Sequence, residues 1–285
     1  GEWQEEQEIL KVDQAVRSNY GLVYRGGEML QPWFANKQKS NIKGRVSLKF
    51  EFYVDIVPED HLQLVLERPE NFEIYLNEQT IDNTRVNGWW IDQCFKKITL
   101  PVSFIKIGRN TVELKVDFNE GINLEAIYVI GRFGVKIEVN KNTLIKLPEK
   151  LFARDITKQG LPFYSGKIRY HLKISKKLKQ GEKTVLSLEK FEAACIKVIS
   201  VNKEEKMIAW KPYETDITND LNLNQELTIE LVLTRRNTFG PLHQLPVRAS
   251  AYGPYSFVTE GDEFSNDYIL IRSGLLKEPV VKILV

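Results

Sequence analysis

A chain of 285 residues, 42% hydrophobic and 27% charged, has the composition of a globular protein with room for one large or two ordinary cores, which excludes intrinsic disorder. Forty Lys and Arg against 38 Asp and Glu leave a formal net charge of +2 with the signs interspersed, so neither nucleic acid nor a membrane surface is an expected partner. Cys94 and Cys195 stand in no CxxC or Cys/His spacing, which excludes a spacing-encoded zinc or redox site and a disulfide-dense scaffold.

The start, "GEWQEEQEIL", has neither a basic region nor an apolar signal core, and the end, "PVVKILV", is apolar. The chain therefore reads as an excised C-terminal portion of a longer protein, and its compartment stays unknown. No run approaches the roughly 18 apolar residues of a membrane span. Short helical pieces are expected at 4–12 and 147–154, neither long enough to organise a domain, and "YRGGE" (24–28) is a Gly-Gly turn. The dominant pattern, alternation at period two interrupted by turn residues about every 8–15 positions, predicts many short strands. They fall at 45–54, 62–67, 72–77, 110–118, 127–139, 167–174, 183–189, 193–202, 226–234 and 267–275. The basic cluster "KISKKLKQ" (173–180) reads as a solvated strand end and turn.

Between the third and fourth strands, "VNGWWIDQCF" (86–95) sets two indoles side by side after an Asn-Gly pair. Successive strand residues point to opposite faces, so Trp89 and Trp90 should diverge, one inward and one outward. An outward indole beside Asn87, Asp92 and Gln93 makes a stacking platform for a flat ligand such as a sugar. The alternative is a bent loop whose two indoles close the end of a core.

The familiar catalytic patterns are missing. There is no GxSxG, GxxxxGK[ST] or HExxH, and His61, His171 and His243 are widely spaced. Glycoside hydrolysis needs two carboxyl groups about 5–5.5 Å or 6.5–9.5 Å apart, and no acidic residue lies in a distinctive context of that kind. No catalytic residue is expected.

The two halves share an order of features. "LVLERPENFEIYLNEQTI" leads through the Trp pair to "KKITLPVSFIKIGRNTVELKV", and "VLSLEKFEAACIKVISVNKEEKMIAWKPYETDIT" leads to "NDLNLNQELTIELVL". Each has an Asn-centred hairpin (Asn77, Asn202), a tryptophan segment and a long strand, as a duplicated β-sandwich would. Residues 1–135 are then a lead-in plus a first sandwich with its core at about 41–135, and residues 136–285 a second.

Four segments, "QGLPFYSGKIRYHLKI" (159–174), "VLSLEKFEAACIKVISVN" (185–202), "AWKPYETDIT" (209–218) and "LVLTRRNTFGPLH" (231–243), together resemble the galactose-binding-like jelly-roll domains attached to bacterial glycoside hydrolases. For 41–135 the likeness is looser, resting on "LVLERPENFEIYLN", "GWWIDQCFKKITLP" and "GRNTVEL"; residues 1–40 match nothing. The resemblance implies an all-β chain of two tandem jelly-roll β-sandwiches of galactose-binding-like type. It also implies a non-catalytic accessory region that binds carbohydrate weakly or supports the catalytic domain of the same polypeptide. A purely structural interdomain module and a complete small glycosidase are the alternatives. The same likeness brings the loops of Phe163, Tyr164, Arg236 and His243 to one end as a second sugar-binding set. Against that, "PFYSG" is equally a strand entry capping the core, and His243 equally a loop histidine bonded to backbone. No cofactor is expected. Such modules commonly carry a structural calcium, and the acid-rich loops at 259–267 and 216–222 hold oxygen donors without EF-hand spacing.

Overall fold

The computed structural model describes residues 6–24, 41–139, 141–174, 179, 181–224, 226–247 and 252–284. Alternation becomes strand over most of the expected segments. In β1 (Gly44–Val54), Leu48, Phe52 and Val54 are buried while Arg45, Ser47, Lys49 and Glu51 are exposed. The pleat sends the two sets to opposite faces. The chain divides into two units, one of residues 1–147 and 243–269 and one of 148–242 and 270–285.

The first unit adds β2 (Leu62–Glu67), β3 (Glu73–Leu76), β4 (Gln79–Ile81), β5 (Val86–Trp90), β6 (Asp92–Leu100), β7 (Gly108–Phe118), β8 (Tyr128–Ile130), β9 (Gly134–Glu138) and β10 (Lys141–Ile145). They form a six-stranded sheet, β4-β3-β7-β1-β10-β9, and a four-stranded one, β5-β6-β2-β8. β1 and β7 pair antiparallel from Gly44↔Phe118 to Val54↔Gly108, and β10 joins β1 in parallel. Leu48, Ile74 and Leu114 of the larger sheet and Leu62, Leu64 and Ile98 of the smaller belong to one buried cluster, so the unit is a two-layer sandwich. Each such side chain contributes about 1.5–3 kcal/mol on burial. The β9–β10 hairpin carries the chain past position 136 within this unit.

Helix α1 (Ile9–Asn19) packs on that sandwich. It begins later than the expected 4–12, because Glu8 caps it by accepting from the Lys11 amide and because Ile9, Val12 and Val16 present one apolar face to the core. Its C-terminus closes with Tyr20 stacked on Phe118 at 5.8 Å. Asp13 and Arg17, both buried, form an ion pair at 2.9 Å. Asp13 Oδ1 also accepts from the Leu124 amide, and Arg17 Nη2 donates to the Ile122 carbonyl and to Asn123 Oδ1.

The second unit consists of β11 (Lys167–Lys173), β12 (Lys183–Ser187), β13 (Phe191–Glu192), β14 (Cys195–Ser200), β15 (Glu205–Ile208), β16 (Glu214–Asp216), α2 (Thr218–Asn224), β17 (Glu226–Val232), α3 (Arg236–Phe239), β18 (Gly274–Leu275) and β19 (Val280–Leu284). Its sheets are β11-β17-β14-β15, β16-β12-β19 and the pair β13-β18. Ile196, Ile229 and Leu231 of the first sheet and Leu186 of the second share a buried cluster with Ile217 and Leu221. All but residues 173, 174 and 179 of the basic cluster at 173–180 lie outside the described residues, as does "RGGE" of the turn at 24–28.

Two expectations fail here for the same reason: a side-chain amide or carboxylate occupies backbone groups that regular structure would have used. Residues 147–154 form no helix. Gln159 Oε1 accepts from the Phe152 amide, and its Nε2 donates to the carbonyls of Phe152, Arg154 and Asp155. The expected strand at 267–275 shrinks to Gly274–Leu275. Upstream of it, Asn237 donates to the Ile271 carbonyl and accepts from its amide, while Asp155 accepts from the Ser273 amide.

On the outer face of β17, Glu230 sits opposite Arg169 and Lys197 and is only 2% exposed beneath them. Arg169 Nε and Nη2 both lie 2.8 Å from its Oε2. Hydrogen bonding to Arg169 holds this carboxyl below the usual carboxylate range, with Lys167 and Lys197 adding to the effect. A folded-state pKa below the unfolded value, about 4.3, stabilises the fold above that value and is lost as pH falls through the folded value. Denaturation midpoints of the native chain should therefore drop more steeply below about pH 4 than those of Glu230→Gln. Parallel curves would show that Glu230 is not coupled to folding.

Candidate functional site

The β5–β6 hairpin turns within three residues, Trp90 pairing with Asp92 across Ile91. Ile91 stands at φ 64, a conformation that β-branched residues avoid and that costs about 1–3 kcal/mol. Gly88, at φ 78, lies in a register shift between Val86 and Trp89, and a second shift separates Trp89 from Trp90. Such bulges re-aim a side chain at a sheet edge. The two indoles diverge as a result. Trp89 pairs with Lys96 in the core-facing row of Leu66 but lies at the edge, 52% exposed. Trp90 turns to the other face and lies half-buried against two more rings.

Register defines that face. Gln63 pairs with Thr99 and Ile130, Val65 with Lys97 and Tyr128, and Glu67 with Phe95, so all eight side chains project from the four-stranded sheet away from the core. Trp90 packs on Tyr128 at 5.4 Å with planes inclined 55°, and lies 6.5 Å from Phe95; Phe95 and Tyr128 meet edge-on at 5.7 Å. Val65 has 0% exposure although it is not part of the core cluster. Three mutually packed aromatic rings thus stand on an outer sheet face, with Glu67 beside them. Toward the other end of the face, Asn87 Nδ2 donates to Thr99 Oγ1 at 2.5 Å, and Gln63 Nε2 donates to the same hydroxyl at 3.4 Å.

No protein-family model and no curated protein matches the chain. Among solved structures, it is similar to a rhamnosidase from Novosphingobium sp. PP1Y, at 14% identity and a TM-score of 0.29 over 86% of this chain and 22% of that one. A glycosyl hydrolase family 2 member from Bacteroides cellulosilyticus is similar at 11% identity and a TM-score of 0.23, over 67% of this chain and 24% of that one. The chain thus spans about a quarter or less of the length of either. Likenesses at these TM-scores assign the chain neither a family nor a residue role.

Burial, and then the nearby Glu125 and Glu67 carboxylates, push the Tyr128 hydroxyl above its ordinary value, so it stays protonated as a hydrogen-bond donor. Burial, followed by the Asp92 carboxylate, raises the Cys94 thiol to about 11, so its protonated form is favoured at neutral pH. Asp92 accepts from the Cys94 amide at 3.0 Å, and that bond lowers its pKa. Gln93 is exposed on the same hairpin. Asn87, Trp89, Trp90, Asp92 and Gln93 are thus gathered on β5–β6, with Trp90 the ring that joins the aromatic cluster.

The other expected set is distributed over the two units. Tyr164 belongs to the second; its hydroxyl donates to the Lys167 carbonyl, and the ring lies over Gly166, whose Cβ would fall 2.3 Å from that hydroxyl. Arg236 is 7% exposed in α3, whose Thr238 donates to the Phe163 carbonyl. His243 belongs to the first unit, with Nδ1 2.9 Å from the Ser265 carbonyl and its ring 5.9 and 5.3 Å from Phe264 and Tyr268. Among the described residues, no group of three or more His, Cys, Asp or Glu is placed to hold a metal ion. In the 216–222 loop, Asp216 accepts from the Thr218 amide and Asp220 pairs with Lys206 at 2.7 Å. Phe95, Tyr128 and Glu67 lie beyond sequence reasoning. Their only signal is that each stands at the outward parity of an alternating strand, and that parity joins no two strands together.

Proposed function

We propose that the chain is a non-catalytic accessory region of a bacterial glycoside hydrolase, built of two jelly-roll sandwiches of galactose-binding-like type. It binds carbohydrate on the outer face of the first unit. The packed rings of Trp90, Phe95 and Tyr128 carry this reading. Rings of this kind lie under the apolar face of a pyranose, while Glu67 and the exposed Asn87 offer acceptors and donors to its hydroxyls. The catalytic domain of the same polypeptide is the expected neighbour.

Affinity electrophoresis through gels containing soluble polysaccharides tests the reading. The native chain should be retarded by at least one glycan, and Trp90→Ala should weaken binding about tenfold, roughly 1.4 kcal/mol. Trp210→Ala, which alters an indole 80% exposed in the second unit, should migrate as the native chain does. Native mobility across the whole panel would favour a purely structural interdomain module.

A further inference from the structure

We propose that Asn87 is a site of spontaneous deamidation, where the Gly88 amide closes a succinimide on the side chain and water opens it to aspartate and isoaspartate. Asn87-Gly88 is the chain's single Asn-Gly pair. A glycine in second place has no Cβ to obstruct the close approach of its nitrogen to the Asn87 Cγ. Whether the two atoms are free to meet is decided by the fold.

Strand β5 lies at the edge of its sheet and pairs only with β6. Val86 pairs with Ile98 and Trp89 with Lys96, so Asn87 and Gly88 both stand opposite Lys97. A bulge of this kind takes its extra residue out of the ladder, and Gly88 has the left-handed φ of 78 that such a bulge gives to glycine. Every residue from Thr84 to Trp89 is exposed, and a Cβ on Gly88 would meet nothing nearer than Lys97 Cε at 4.0 Å. Among the described residues, the polar restraint on the carboxamide is the bond from Asn87 Nδ2 to Thr99 Oγ1, at 2.5 Å.

The Gly88 nitrogen gives its proton to hydroxide and bonds to Asn87 Cγ; the Cγ–Nδ2 bond breaks, and Nδ2 leaves as ammonia. Water then opens the ring. Cleavage between Cγ and the Gly88 nitrogen gives aspartate at position 87, whereas cleavage at the main-chain carbonyl gives isoaspartate and lengthens the main chain by one atom. One water enters and one ammonia leaves, with no oxidation or reduction. Either product has a new carboxylate and no amide hydrogen for Thr99, so the hairpin gains a charge and loses a tie between β5 and β6.

Incubation of the full chain at neutral pH, followed by peptide mapping with mass spectrometry, tests this. The peptide holding residue 87 should show the mass gain of an amide turned to a carboxylate. It should also accept a methyl group from S-adenosylmethionine through an isoaspartyl O-methyltransferase. Mildly alkaline buffer should speed both changes, since the nucleophile is the deprotonated amide. Asn87→Gln, whose longer side chain must close a less favoured six-membered ring, should show neither. The folded chain should convert within about tenfold of the rate in guanidinium chloride, the most that one hydrogen bond to Thr99 imposes, and Thr99→Val should close most of that gap. An unchanged mass at position 87 after the unfolded chain has converted would overturn the proposal. So would a folded Thr99→Val chain that stays far slower than its unfolded form, because the strand itself would then protect Asn87. Methylation of Asn87→Gln equal to that of the native chain would also overturn it, by placing the reaction at another residue.

Discussion

Arg17→Ala is expected to destabilise the first unit by about 3–5 kcal/mol, the cost of leaving one member of a buried ion pair without the other. The guanidinium of Arg17 meets Asp13 Oδ2 through Nε, and Asp13 Oδ1 accepts from the Leu124 amide. Arg17 Nη2 also bridges to the Ile122 carbonyl and to Asn123 Oδ1, so the pair is the joint between α1 and the 119–125 loop. Removing the Arg17 guanidinium takes that partner from the Asp13 carboxylate, which is buried at 0% exposure, and strips the loop of two hydrogen bonds. The double variant Asp13→Leu/Arg17→Met should recover most of the loss, because apolar side chains of similar volume carry no desolvation penalty. Urea unfolding followed by circular dichroism measures both. If the single variant costs less than about 1 kcal/mol, as an exposed pair would, the joint is solvated and α1 is held by its apolar face alone.

The same joint shows what can be read from a chain and what cannot. Alternation marks β1, β2, β7 and β17 to within two residues, because a half-buried strand must send every second side chain inward. A helix near the start is legible from the spacing of Ile9, Val12 and Val16, but its true start depends on Glu8 as cap, and its attachment on Arg17 finding a carbonyl more than a hundred residues away. The side chains that displace regular structure are hidden in the same way. Nothing adjacent to Asn237 or Gln159 announces that one amide will replace a strand ladder and the other a helix. At the binding face, the adjacent indoles signal Trp90 by themselves, and their divergence follows from the pleat. The cluster becomes visible only once β2 stands between β6 and β8, since that order alone brings Phe95 and Tyr128 beside one another.

Asn110→Ala should cost about 3 kcal/mol or more, on the basis of roughly 1–3 kcal/mol for each buried polar group left without a partner. The Asn110 amide, at 0% exposure, accepts from Asn77 Nδ2 and from the Lys106 amide, and donates to the carbonyls of Lys106 and Gly108. Asn77 in turn donates to the Phe104 carbonyl and accepts from the Thr111 amide. These bonds tie the β3–β4 hairpin to the 101–107 segment by which the chain leaves β6, the strand that carries Phe95. Asn77 and Glu78 both have positive φ, at 49° and 69°, as the two-residue connection between Leu76 and Gln79 requires. Asn77→Gly keeps that backbone and loses only the side-chain bonds, so it should destabilise less than Asn110→Ala. Asn110→Asp keeps the acceptor but buries a charge and loses both donors, so its deficit should grow as pH rises through the carboxylate range. Denaturant titration of the three variants against the native chain would give that order. A loss on Asn110→Ala no larger than on Asn77→Gly would place the stabilisation in the turn rather than in the amide network.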